Sequence, residues 1–85
     1  MSMQNDWRLH GQESFLMGVT MVHQPWKPSD PQNDHDHCEF CWARFSRYAA
    51  DLHVGYSTED RCRWVCEQCF HDFQRKFSWR VKENA

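Results

Sequence analysis

Cys38-Glu-Phe-Cys41 and Cys66-Glu-Gln-Cys69 are the two stretches that decide how this chain folds. Each places two cysteines three positions apart, and 24 residues separate the two motifs. Zinc takes four ligands in a tetrahedron with Zn–S distances of about 2.3 Å, and a two-residue spacer lets one tight turn aim two sulfurs at one point. The sequence therefore predicts one structural Zn²⁺ held by Cys38, Cys41, Cys66 and Cys69, with no position left for a catalytic water.

Two other chemistries are compatible with paired Cys-x-x-Cys motifs. Iron in the same four-thiolate geometry would make a rubredoxin-like electron carrier, because ligand type does not cleanly separate the two metals. A redox-active motif or a pair of disulfides is the other alternative. The repeated spacing and the odd total of five cysteines favour four ligands plus one bystander, Cys62, which we expect to pack in the core beside Trp64.

The chain shows no sign of secretion or membrane insertion. Residues 1–7 have neither a basic start nor an apolar stretch, and no run of about 18 apolar residues occurs. We therefore expect a cytoplasmic location, where a reducing environment keeps cysteines available as metal ligands.

The size of the chain indicates a single domain that needs a stabilising metal ion or cross-link in addition to its hydrophobic core. It has 85 residues, of which 40% are hydrophobic and 15% aromatic. Domains this small bury proportionately little surface, so their cores are only marginally sufficient. We expect one domain over residues 1–85, made of a helix (12–17) and strand (19–24) piece in 1–24, a proline-rich linker in 25–37 and a zinc-binding module in 38–85.

The residues around the second motif predict how the metal site is built. A turn cluster at 55–60 is followed by alternation of polar and apolar residues over 61–65, which indicates a hairpin. From Cys66 onward, Phe70, Phe73 and Phe77 recur at helical spacing, which predicts a helix to residue 77. The second cysteine pair would then lie at a helix start, where free N–H groups and the dipole favour thiolates.

The order of knuckle, hairpin and ligand-bearing helix over residues 38–77 resembles the treble-clef class of four-cysteine zinc fingers. This resemblance implies an α+β fold: a small zinc-stapled, treble-clef-like domain with the N-terminal helix and strand packed on it. The class has a common fold and many functions, so it implies no activity. Four stretches also resemble small bacterial zinc-binding proteins of unassigned function: Asp6-Trp-Arg-Leu9, Gly11-Gln-Glu13, His35-Asp-His-Cys-Glu-Phe-Cys41 and Trp64-Val-Cys-Glu-Gln-Cys-Phe70.

The composition favours a binding function without catalysis. Trp7, Trp26 and Trp79 lie outside the ligand segment, and any of them left exposed by the fold would suit a protein partner. The leading prediction is an adaptor or regulator that binds another protein. The alternative is a nucleic-acid-binding zinc finger, although the formal charge of -2 is unusual for that class. Its candidate contacts are Arg61, Arg63, Arg75, Lys76, Arg80 and Lys82.

The histidines near the cysteine motifs, His35, His37 and His71, have three interpretations. Each could replace a cysteine as a metal ligand, although two complete Cys-x-x-Cys motifs disfavour this. His37 precedes the first motif and is a candidate to hydrogen-bond a metal-bound thiolate. A treble-clef nuclease of the His-Asn-His type would need a histidine base on the hairpin, where this chain has Arg61, Cys62, Arg63 and Trp64. The sequence therefore predicts no enzyme activity, no small-molecule substrate and no membrane contact.

Overall fold

A computed structural model of the chain describes residues 7–83, with side chains through residue 82. Residues 1–6 and 84–85 of the predicted domain lie outside the described residues. They include Asp6, the first residue of the four stretches that resemble bacterial zinc-binding proteins. None of the helices within 7–83 is long and apolar enough to cross a membrane. The elements are α1 (Glu13–Leu16), β1 (Thr20–Pro25), β2 (Asp36–His37), β3 (Arg44–Phe45), β4 (Val54–Thr58), β5 (Trp64–Val65), α2 (Glu67–Phe77) and β6 (Arg80–Glu83).

A four-stranded sheet in the order β5-β4-β1-β6 forms the frame of the described chain. β1 lies between β4, with which it pairs antiparallel, and β6, with which it pairs parallel. A hairpin is present as the antiparallel pair of β4 and β5, but residues 55–58, predicted as part of its turn, belong to β4. The N-terminal piece is therefore more than an extension packed on the zinc-binding module, because its strand is an inner strand of the sheet.

The core lies between this sheet and α2. Phe70, Phe73 and Phe77 are all buried on one face of the helix, as their spacing predicts. Phe40 from the first cysteine motif stacks on Phe73, with 4.8 Å between ring centroids. Trp79 is buried too, and its indole N–H donates to the carbonyl of Leu16 at 2.8 Å, which ties α1 to the end of α2. One aromatic core thus joins the N-terminal piece, the first motif and the helix.

Several predicted boundaries differ from the structure. The first helix is a single turn, Glu13–Leu16, and Phe15, predicted on its apolar face, is 40% exposed. The linker over 25–37 contains the short strand β2, which pairs with β3 in a separate two-stranded sheet. Of the predicted strand 61–65 only β5 forms, because Arg61 adopts a left-handed conformation with φ of 62°. The sequence does not predict β6, since residues 80–83 carry little apolar signal.

Gly55 in β4 allows a close approach between the two sheets. A Cβ at this position would lie 2.6 Å from the Cε1 atom of Phe45 and 3.0 Å from the carbonyl oxygen of Val65. Phe45 is fully buried and contacts Trp64, so its ring has little room to move. Only glycine fits at position 55 without displacing the core.

Gly55→Ala is therefore expected to destabilise the protein by about 1–3 kcal/mol, the usual cost of overpacking a core. The urea midpoint of the metal-loaded protein measures this. The matched control is Val54→Ala at the neighbouring, 41% exposed position, which should cost less than about 1 kcal/mol. Equal midpoints for the two variants would contradict the packing seen here.

Candidate metal centre

The first cysteine motif forms a tight turn anchored to the end of β5. The amide of Cys38 donates to the carbonyl of Ala43 at 2.8 Å, and the amide of Trp42 donates back to the carbonyl of Cys38 at 3.1 Å. Trp42 closes this turn in a left-handed conformation, with φ of 69°. The amide of Glu39 donates to the carbonyl of Trp64 at 2.9 Å, which sets the turn beside the start of the second motif.

The second motif occupies the N-terminus of α2. Cys66 is the capping residue, and its sulfur accepts a hydrogen bond from the amide of Cys69 at 3.4 Å. The sulfur of Cys38 accepts two more, from the amides of Phe40 and Cys66, each at 3.4 Å. Backbone N–H groups therefore point at the sulfurs from both turns, the arrangement that stabilises thiolates.

The four predicted ligands converge on one point. The sulfurs of Cys38, Cys41, Cys66 and Cys69 all lie within 4.8 Å of one another. The sulfurs of Cys41 and Cys66 are 3.7 Å apart, close to the edge of about 3.8 Å that a tetrahedron with Zn–S bonds of about 2.3 Å requires. The donor set and its spacing fit a single tetrahedral metal ion, as the sequence predicts.

Close packing of the thiols of Cys38, Cys66 and Cys69 shifts their pKa values in opposite directions. Hydrogen bonds from Cys66 and then Cys69 hold the pKa of Cys38 far below its ordinary range. The same sharing of hydrogen bonds with Cys38 raises the pKa of Cys66 and, more strongly, that of Cys69, and burial raises both further. These shifts favour a thiolate at Cys38 beside protonated thiols at Cys66 and Cys69. Binding a divalent ion would release the remaining protons.

No family model, curated protein or solved structure matches this chain. The resemblance to treble-clef zinc fingers accordingly rests on the ligand spacing and the element order of residues 38–77.

A residue from outside the cysteine motifs also reaches the cluster. The guanidinium of Arg8 lies 3.5 Å from the sulfur of Cys69 and 2.9 Å from a carboxylate oxygen of Asp72. A pocket of about 270 Å³ opens beside it. Its lining is Trp7, Arg8, Cys41, Cys66, Gln68 and Cys69. The residue predicted for such a contact, His37, is instead exposed, with its ring edge-on against His35.

The three tryptophans considered as partner anchors have different environments. Trp26 is 6% exposed, and its indole N–H donates to Asp36 at 2.9 Å. Trp79 is 4% exposed within the aromatic core. Neither is available to a partner, because each packs within the domain. Trp7 is 69% exposed and lies at the pocket beside the cluster.

The six basic residues considered for nucleic-acid binding lie in three separate parts of the chain. Arg75 and Lys76 end α2, Arg80 and Lys82 lie in β6, and Arg61 and Arg63 precede β5. Two have acidic neighbours: Arg63 lies 3.7 Å from Glu39, and Lys82 lies 3.4 Å from Glu59. Nucleic-acid binding by this set stays a prediction.

Cys62 does not pack in the core as expected. It is exposed, in a turn held by the carboxylate of Asp60, which accepts from the Cys62 amide at 2.9 Å. The prediction was wrong because the strand begins at Trp64, so the alternation that placed Cys62 on the buried face does not extend back to it. Cys62 is thus a thiol outside the metal cluster and serves as an internal control for the other four.

Proposed function

We propose that this chain is a non-catalytic, zinc-stapled module of the treble-clef class that binds another protein in the cytoplasm. Zinc suits the site because a closed set of four thiolates needs no redox change or open position to stabilise a fold. A reducing compartment keeps those thiols free to bind it. The proposed role for the metal is to hold a small binding surface rigid.

The observation that carries the proposal is the exposure of two tryptophans beside the cluster. Trp7 is 69% exposed and Trp42 is 59% exposed. Trp42 directly follows the ligand Cys41, and the ring of His10 stacks on it with centroids 5.7 Å apart and planes 6° from parallel. Large aromatic side chains at a surface are the residue types that dominate binding energy in protein interfaces.

The backbone of Trp42 strengthens this interpretation. Its left-handed conformation costs an ordinary residue about 1–2 kcal/mol, whereas glycine adopts it freely. Burial does not repay that cost, because more than half of the side chain faces solvent. A partner surface that covers the indole is a physical reason for a tryptophan in this place.

Affinity purification from the native host, followed by reconstitution with the purified partner, tests the proposal. We expect one defined protein to bind, and Trp7→Ala and Trp42→Ala each to weaken binding at least about tenfold, as for interface residues whose loss costs about 1.4 kcal/mol or more. Tyr48→Ala is the matched control, since Tyr48 is a 63% exposed aromatic residue that neither lines the pocket, as Trp7 does, nor adjoins a cysteine ligand in the chain, as Trp42 does.

Two outcomes would replace the proposal. Steeply salt-dependent binding of DNA or RNA, lost when Arg75, Lys76 and Arg80 are made neutral, would establish the nucleic-acid alternative. Turnover of a substrate that depends on the bound metal would establish an enzyme. Equal partner affinity in Trp7→Ala, Trp42→Ala and Tyr48→Ala would remove the tryptophan surface from the mechanism.

A further inference from the structure

Arg8 makes three contacts that converge at the edge of the cysteine cluster. Its guanidinium lies 3.5 Å from the sulfur of Cys69 and 2.9 Å from Asp72, and its Cζ atom lies 4.5 Å from the centroid of the Phe73 ring. The three partners lie within five positions of one another in α2. Only 17% of the Arg8 side chain is exposed. This is a defined binding geometry for the guanidinium and differs from that of a loose surface cation.

The backbone of Arg8 is fixed from a second direction by Gln12. This side chain is 1% exposed, and its amide nitrogen donates to the carbonyl of Arg8 at 2.7 Å and to the carbonyl of Glu39 at 2.9 Å. Its amide oxygen accepts from the backbone of His10 at 2.8 Å. Breaking these bonds would leave buried polar groups unpaired, so the N-terminal segment is held against the first cysteine motif.

We infer that Arg8 is a positioning residue of the metal centre, which hydrogen-bonds the Cys69 thiolate and holds the bound ion more tightly. Four thiolates around a divalent ion carry a net charge of about -2, and hydrogen bonds to metal ligands orient them and tune the metal. The planar guanidinium holds its donors in a rigid fork, so one nitrogen donates to the sulfur and to the carboxylate in a fixed geometry, whereas a lysine ammonium is a rotatable point charge. The inference concerns the metal centre of the proposed function and is independent of what binds to Trp7 and Trp42.

The N-terminal segment is part of the module because it supplies this guanidinium. Residues 38–77 contain all four candidate ligands, yet the guanidinium that contacts Cys69 belongs to Arg8, which is 61 positions earlier in the chain. Detaching residues 7–12 from the cluster would remove this donor and open the pocket beside Cys41, Cys66 and Cys69 to solvent. The metal should therefore be held less tightly whenever that segment is displaced.

The test is Arg8→Met in the full chain, which keeps an apolar stem over Phe73 and removes the charge and the donor. The matched control is Arg63→Met. Arg63 also combines an aromatic contact, 4.1 Å from the Phe15 ring, with a carboxylate 3.7 Å away. None of the described hydrogen bonds joins it to a ligand sulfur.

Cobalt(II) and zinc(II) affinities, measured by direct titration and by competition with a chelator, decide the question. Outer contacts to metal ligands are commonly worth about 10–100-fold in affinity, so we expect Arg8→Met to bind both ions at least about tenfold more weakly than Arg63→Met. The sulfur-to-cobalt charge-transfer bands should shift in Arg8→Met alone, a signature that general loss of stability would not produce.

Affinities within about twofold of each other and superimposable cobalt spectra would overturn the inference. If Arg8→Met does not fold, Arg8→Lys against Arg63→Lys decides by the same criteria, with a smaller expected loss because lysine retains the charge and can still donate, although without the rigid planar geometry. A wild-type chain that bound neither ion would overturn the metal centre itself. Loss of partner binding in Trp7→Ala with unchanged cobalt affinity would leave the role of Arg8 in place.

Discussion

Replacing Cys38 by serine is expected to abolish stoichiometric metal binding and leave the chain without a cooperative unfolding transition. Cys38 is fully buried, and its sulfur accepts amide hydrogen bonds from both cysteine motifs. A serine hydroxyl stays protonated near neutral pH and is a poor zinc ligand, so three thiolates would remain around the ion. The two turns that the metal joins would lose their common point of attachment.

The expected effect is large because the free energy of metal binding contributes directly to the free energy of folding. Structural zinc in small domains contributes about 10–16 kcal/mol, whereas a whole domain is stable by only about 5–15 kcal/mol. Treating the wild-type protein with a strong chelator should therefore give the same result as the substitution. Circular dichroism, near-ultraviolet spectra and metal content measured on one sample report both losses together.

Cys62→Ser is the matched control for this experiment. It makes the same chemical change at an exposed thiol outside the cluster. It should keep one metal ion per chain and unfold within about 0.5 kcal/mol of the wild type, as surface substitutions do. A Cys38→Ser protein that kept one equivalent of metal and a sharp unfolding transition would contradict the structural role assigned to the centre.

The parts of the fold that the sequence predicts are those whose signals are local. Phe70, Phe73 and Phe77 recur at the period of a helix, and α2 forms where that pattern lies. The hairpin of β4 and β5 is predicted from the alternation over 61–65, but residues 55–58 of the predicted turn lie in β4. β6 has no comparable signal, because it is stabilised by parallel pairing with a strand 60 positions earlier in the chain, Thr20 opposite Arg80.

The same distinction holds for the metal centre. Residue type and spacing indicate which residues are ligands, so the cluster of four cysteines is predicted from two short motifs. Arg8 carries no such signal, since nothing in its neighbours indicates a contact with a cysteine 61 positions away. The burial of Trp26 and Trp79 likewise depends on packing between distant segments, which residue type alone does not predict.

Phe40→Ala is expected to destabilise the metal-loaded protein by about 3–5 kcal/mol, the usual cost of deleting a buried aromatic ring. Phe40 lies between two metal ligands and is fully buried. Its ring lies 4.8 Å from that of Phe73, 5.4 Å from that of Phe77 and 5.8 Å from that of Trp79, measured between centroids. It is thus the side chain through which the first cysteine motif is attached to α2.

The four sulfur ligands are unchanged in this variant, so it separates packing from metal binding. Phe40→Ala should still take up one metal ion per chain while its urea midpoint, measured with excess zinc, falls sharply. Phe15→Ala removes the same ring from a 40% exposed position and should cost only about 1 kcal/mol, chiefly through its contact with Arg63. If the two variants unfolded at the same urea concentration, Phe40 would not join the motif to the helix, and the metal alone would hold the two turns together.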